Sequence, residues 1–162
     1  MTLRKKCIKY ADDISTDLII AGKYTKTVDF AELAAHTMED LDPSYKEKIK
    51  GGAFIVAGEN FGCGSSREQA PVALKESGAA CIVAKTFSRI FYRNAVNIGL
   101  PIVECDTSQI NDGDVLEYTL GGDKIINATT GKTIPVVPLP PIMVEILTNG
   151  GIIGHFRKKG GY

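Results

Sequence analysis

Three apolar runs of strand length constrain the architecture most: Ala53–Ala57, Ala80–Ala84 and Leu100–Glu104. Between them lie two helix-like segments, Ala70–Ser77 stopped by Gly78, and Phe87–Ile98 stopped by Gly99 and Pro101. Strand, helix, strand, helix, strand implies parallel pairing through helical crossovers. Short unbroken apolar runs suit buried strands. Ile90, Phe91, Asn94 and Ala95 fall at helical spacing.

The flanks differ in texture. Cys7–Tyr10 reads as a strand, Asp12–Asp17 as a turn-rich segment, and Leu18–Ala21 as a short extended piece closed by Gly22. Asp29 and Glu32 have capping-box spacing, predicting a helix from Phe30 to about Met38 with Leu33, Ala34 and Thr37 inward. Ser44–Lys50 suggests one more helical turn. Val115–Leu120, Lys124–Ala128 and Thr133–Val137, separated by turn residues, predict a small antiparallel meander. A last helix starts at Leu139-Pro140-Pro141 and ends at Asn149-Gly150-Gly151, and the basic tail from Arg157 is expected to fray. No repeat or linker divides residues 1–162, which read as one α/β domain.

Bulk properties exclude several classes. The 162 residues carry zero formal net charge, which argues against nucleic acid or an anionic membrane as partner. No signal-peptide pattern follows Met1, and no apolar run nears the ~18 residues of a membrane helix, so a cytoplasmic chain is expected. Four cysteines without a C-x-x-C pair, and two histidines, are poor material for a metal site. Cys7, Cys81 and Cys105 sit in apolar surroundings and read as buried thiols in a reducing compartment. Cys63 stands apart, inside a glycine-rich turn.

That turn, Gly58–Ala70, joins the first apolar run to the first helix: Gly-Glu-Asn-Phe-Gly-Cys-Gly-Ser-Ser-Arg-Glu-Gln-Ala. It lacks the lysine of a phosphate-binding loop, the Gly-x-Ser-x-Gly of a nucleophile elbow and the full G-x-G-x-x-G of a dinucleotide fold. Ser65 with Glu68 has the spacing of a capping box, which predicts Ser65 as N-cap. A cap does not account for Arg67, a cation at the positive end of the helix dipole. An anion between arginine and helix end would reconcile the two. Ser65 could then serve as a base, its alkoxide held by backbone donors as in an oxyanion hole, while Arg67 clamps a substrate carboxylate. Such a half-site suits proton abstraction beside a carboxylate but has nothing to expel the leaving group. A non-enzymatic anion- or nucleotide-binding module is the alternative. A serine hydrolase would need a histidine close to Ser65, and His36 and His155 are remote in sequence.

The Gly58–Glu68 stretch resembles the signature of aconitase-superfamily small subunits, of the 3-isopropylmalate dehydratase and homoaconitase type. Asp12-Asp13-Ile14-Ser15-Thr16-Asp17 and Phe87–Pro101 resemble two further signatures, and Glu145–Leu147 and Gly150–Ile152 also fit. The resemblance spans nearly the whole chain. It implies a swivelling three-layer β/β/α domain, with a mixed sheet, that closes over a large subunit carrying a [4Fe–4S] cluster. It implies that Ser65 is the base and that Ser66 and Arg67 hold the carboxylate of a small di- or tricarboxylate. Asp17, Asn60, Gly62, Gly64 and Glu68 are the supporting positions. The reaction implied is dehydration and rehydration of a hydroxy-acid. 3-Isopropylmalate is the expected substrate; homoaconitase and citraconate, 2-methylmalate or 2,3-dimethylmalate hydratases are alternatives. Two departures stand out. Gln69 replaces the family's histidine, and an indirect effect is expected. The substrate-selecting loop reads Tyr24-Thr25-Lys26-Thr27, where homoaconitase-like members have Tyr-Leu-Arg-Thr and isopropylmalate-type members apolar residues. Lys26 and Thr27 are therefore candidate substrate contacts, Lys26 as a point charge for a distal carboxylate.

Overall fold

The apolar runs form adjacent strands, as their pattern requires. The computed structural model describes residues 1–160. In chain order its elements are β1 (Thr2–Lys9), α1 (Thr16–Ile19), α2 (Phe30–Ala35), α3 (Tyr45–Lys48), β2 (Ala53–Val56), α4 (Gln69–Ser77), β3 (Ala79–Ala84) and α5 (Arg89–Asn97). There follow β4 (Ile102–Glu104), β5 (Val115–Thr119), β6 (Lys124–Asn127), β7 (Lys132–Pro135), α6 (Pro141–Thr148) and α7 (Ile152–Lys158). One seven-stranded mixed sheet runs β4-β3-β2-β1-β5-β6-β7. β1 to β4 pair in parallel; β5 joins β1 antiparallel and leads the meander.

The two halves differ as their sequences do. All four residues of β2 are buried, as are all of β3 except Ala80. β6 alternates exposed and buried, as a strand with one wet face must. The sheet curls until its ends meet: Val137 donates to the Glu104 carbonyl at 2.9 Å, and Cys105 bridges Val136. Folded back in this way, the sheet supplies two β layers and the helices a third. One hydrophobic core runs from Cys7 on β1 through Phe54 and Ile82 to Leu147 on α6.

Some local expectations need correcting. Leu18–Ala21 was expected extended, yet Thr16–Ile19 is helical. Ser15 Oγ accepts from Leu18 N at 3.2 Å, and that cap stabilises a turn over an extended path. Asp29 caps α2 through Ala31 N at 2.9 Å, but Glu32 accepts from the Thr27 hydroxyl at 2.8 Å and so does not close the box. α2 stops at Ala35, and Met38 turns left-handed. Leu33 and Thr37 are buried as expected. α5 starts at Arg89, and Ile90 is 49% exposed, because Phe91, Ala95 and Val96 take the inner face. The tail is not frayed through Lys158. α7 carries buried His155, and Lys159 pairs with Glu145 of α6 at 3.0 Å. Gly161 and Tyr162 lie outside the described residues.

Gly62 and Gly64 both take positive φ, at +81° and +93°, but differ in surroundings. A Cβ at Gly62 would collide with the Phe91 ring, whereas at Gly64 the nearest atom, Ser15 Cβ, lies 3.6 Å away. Gly62→Ala should therefore lose roughly 3 kcal/mol, from backbone strain plus overpacking. Gly64→Ala should lose about 1 kcal/mol, from strain alone. Urea unfolding of the two variants side by side checks the difference.

Candidate active site

The glycine turn extends the parallel sheet beyond its regular strands. On one side it pairs with 11–16: Gly58 N donates to Ala11 O at 3.3 Å, Gly62 N to Ile14 O at 2.8 Å, and Thr16 N to Cys63 O at 2.8 Å. On the other it pairs with 85–88: Lys85 N donates to Gly58 O at 2.9 Å, Phe61 N to Thr86 O at 3.0 Å, and Ser88 N to Phe61 O at 2.9 Å. The turn thus sits outside the carboxyl ends of the parallel strands, where open α/β sheets place their ligands.

Side chains lock this pairing. Asp12 accepts from Glu59 N at 2.7 Å, and a Cβ at Gly58 would collide with that carboxylate. Asn60 turns left-handed at φ +62°, donates through Nδ2 to Asp13 at 3.0 Å and through its backbone N to Thr86 Oγ1 at 2.7 Å. Thr16 donates its hydroxyl to the Ser65 carbonyl at 2.8 Å, fixing the peptide next to the candidate base.

Thr16, Gly62, Gly64, Ser65, Ser66, Arg67, Ser88, Ile90, Phe91 and Asn94 surround one notch of about 10 Å³. So the structure brings Ser65, Ser66, Arg67, Gly62 and Gly64 together. Asn60 braces the turn from outside the notch, and Asp17 reaches it through Arg67. The guanidinium donates to the Ile20 carbonyl at 3.0 Å, pairs with Asp17 at 2.6 Å and lies against Gly22. Its side chain is 21% exposed, Asp17's 60%. Two fixed acceptors orient a planar cation, yet leave N–H groups for a further carboxylate.

The cap expectation fails. α4 begins at Gln69, its N-cap position is Glu68 without a side-chain bond, and Ser65 lies three residues further upstream. Arg67 accordingly precedes the helix and does not occupy its first turn. The backbone here takes another course because Thr16 holds the Ser65 carbonyl in a bend. A different donor set results. From Gly64 to Glu68 no backbone N–H donates to another described residue, and the Ser65 and Ser66 hydroxyls are likewise unbonded. Such a run of free amides can serve an oxyanion as a helix end does. At Gly62, the missing Cβ makes room for the Phe91 ring.

Lys26 and Thr27 lie outside the notch. Lys26 is exposed and has no polar partner among the described residues. The Thr27 hydroxyl bonds Glu32 and accepts from Asp29 N at 3.1 Å. Glu68 is exposed and lines a cleft with Thr27, Val28 and Phe30. Larger hollows, of about 470 and 660 Å³, lie near α6 and β7 and contain neither Ser65 nor Arg67. Thr16, Ser88 and Asn94 were missed as notch residues. They come from segments whose register against the turn appears only in three dimensions, although the Phe87–Pro101 resemblance covers two of them.

The protein is thus of the α/β class, and its curled mixed sheet presents an arginine, two serines and free amides together at the parallel strand ends, an arrangement that can take a carboxylate. Residues 5–107 match the Aconitase C-terminal domain model. The chain is 48% identical to the 3-isopropylmalate dehydratase small subunit of Moorella thermoacetica, over 98% of this chain and 97% of that protein. It is 50% identical to 3-isopropylmalate dehydratase small subunit 2 of Archaeoglobus fulgidus, over 94% of this chain and 93% of that one. The crystal structure of 3-isopropylmalate dehydratase from Methanocaldococcus jannaschii superposes with a TM-score of 0.93 at 44% identity, over 99% of this chain and 96% of that one. The chain belongs to the aconitase C-terminal domain family.

The thiols divide as their surroundings dictate. Burial pushes Cys7 up to about 11 and Cys105 up to about 12, and raises fully buried Cys81 as well. Cys63 is partly exposed in the turn. Iodoacetamide at neutral pH should modify Cys63 alone in the native chain and the other three only after unfolding. Peptide mass mapping reads the sites.

Proposed function

We propose that this chain is the small subunit of a [4Fe–4S]-dependent hydro-lyase, a 3-isopropylmalate dehydratase, acting in the cytoplasm with a large subunit. The observation that carries this reading is whole-length similarity to small subunits of that name, at 48% identity over 98% of the chain. The site geometry supports it. A notch of about 10 Å³ has room for about one water molecule, so this chain does not enclose a dicarboxylate alone. A second surface has to complete the site, which also disfavours a self-sufficient anion-binding module.

In the proposed mechanism Arg67, oriented by Asp17 and the Ile20 carbonyl, takes one substrate carboxylate, and Ser66 adds a hydroxyl donor. The Ser65 oxygen then faces the carbon beside that carboxylate and removes its proton. A serine hydroxyl is too weak an acid to be ionised in water. The free amides of the turn stabilise the alkoxide here, as preorganised donors stabilise developing anions. Lys26, exposed on its loop, faces the end of the substrate away from Arg67 and serves as the point charge for a distal carboxylate where the substrate carries one, and Thr27 shapes that loop through Glu32.

The leaving hydroxyl needs an electrophile. Among the described residues no group of three or more His, Cys, Asp or Glu is placed to hold a metal, and three of the four cysteines are buried. These residues do not fit an iron–sulfur cluster. The cluster is assigned to the large subunit.

Ser65→Ala in the assembled enzyme should lower kcat by roughly 10²–10⁴-fold, the range for losing a positioned base, and leave substrate binding nearly unchanged. Turnover near wild type would show that Ser65 is not the base. Lys26→Ala should raise KM several-fold, with little change in kcat, for hydroxy-acids that carry a distal carboxylate and leave 3-isopropylmalate nearly unaffected, measured by steady-state assay on both.

A further inference from the structure

We propose that Gln69 is a positioning residue that sets the substrate-selecting loop at a fixed distance from the carboxylate notch. The inference rests on the proposed function and deepens it. Gln69 is the first residue of α4, two positions after Arg67. Its side-chain amide donates through Nε2 to the Thr25 carbonyl at 2.7 Å. The hydrogen bonds within residues 22–28 are otherwise local: Thr25 N and Oγ1 to Gly22 O, Thr27 N to Tyr24 O, and Thr27 Oγ1 to Glu32. Among the described residues, Gln69 makes the single hydrogen bond that reaches this loop from a distant part of the chain.

Two other contacts flank the tether. The Tyr24 ring stacks on His36 at 4.0 Å, and the Arg67 guanidinium lies 3.4 Å from where a Gly22 Cβ would stand. Stacking and packing tolerate sliding, whereas a hydrogen bond to a carbonyl fixes a distance and a direction. Thr25 immediately precedes Lys26, so holding its carbonyl sets where Lys26 leaves the loop. Arg67 precedes α4 by two residues and Gln69 opens it, and Ala70 N donates to the Arg67 carbonyl at 3.3 Å. The groups proposed for the two ends of the substrate are therefore both referenced to one short segment. A substrate whose far end fits the distance from notch to loop satisfies both; a shorter or longer one does not.

Two variants remove the donor. Gln69→Leu keeps the bulk without polarity, and Gln69→Glu offers only an acceptor to a carbonyl. Gln69→His retains a ring N–H and should restore the tether. Hydrogen exchange of the 23–27 amides in the full chain should quicken roughly ten-fold in the Leu and Glu variants, about what one lost hydrogen bond implies, and return toward wild type with His. In the assembled enzyme the same variants should raise KM about ten-fold while kcat stays within two-fold. Unchanged exchange in both Leu and Glu variants would overturn the tether, and unchanged KM would overturn its link to substrate choice. The exchange measurement needs no turnover. If the wild-type complex acts on no hydroxy-acid, the proposed function fails while the tether is still decided by exchange.

Discussion

Everything at the notch depends on one irregular extension of the sheet, the pairing of Gly62 with Ile14 and of Thr16 with Cys63 at 2.8 Å each. These bonds carry the parallel register past the last regular residues of β1 and β2. They close only if Gly62 presses its bare face on Phe91, since any side chain there would meet the ring. With the pairing made, Thr16 comes within reach of the Ser65 carbonyl, and the turn after it has nowhere to send its own amides. The free donors of the site thus follow from a packing constraint several residues away.

Arg67 shows how the same pairing organises charge. α1 is capped by Ser15, which bridges Cys63, so the start of α1 is fixed relative to the turn. Asp17 and the Ile20 carbonyl, at the two ends of that short helix, then meet the guanidinium from one side. A half-buried arginine gains orientation from these two acceptors, which would lower the entropy cost of holding an anion. Gln69 continues the same logic outward to the loop that bears Lys26.

The layout of the fold was legible because it rests on local pattern. Buried strands β2 and β3 show unbroken apolar runs, and β5 to β7 show alternation between turn residues. The candidate residues were legible in the sequence; the geometry that gathers them was not. Ser65 and Arg67 stand out by composition and by resemblance, yet the spacing of Ser65 and Glu68 imitates a helix cap that does not form. Thr16, 49 residues upstream, decides that outcome, and such a contact has no signature in local sequence. The same holds for Leu18–Ala21, where a serine cap prevails, and for Ile90, left outside because Phe91 must face Gly62. α7 was hidden by a glycine pair and basic residues that read as a tail. Packing of His155 and an ion pair to α6 give it partners that local propensity does not supply.

The central claim is that this chain brings the base and the carboxylate clamp to a site completed by a second subunit. A crystal structure of the assembled enzyme with a non-reactive substrate analogue tests it most directly. The account predicts one carboxylate within about 3 Å of the Arg67 guanidinium and the amides of residues 64–68, with Ser65 Oγ facing the neighbouring carbon. A carboxylate held only by the large subunit, with Ser65 out of reach, would contradict it.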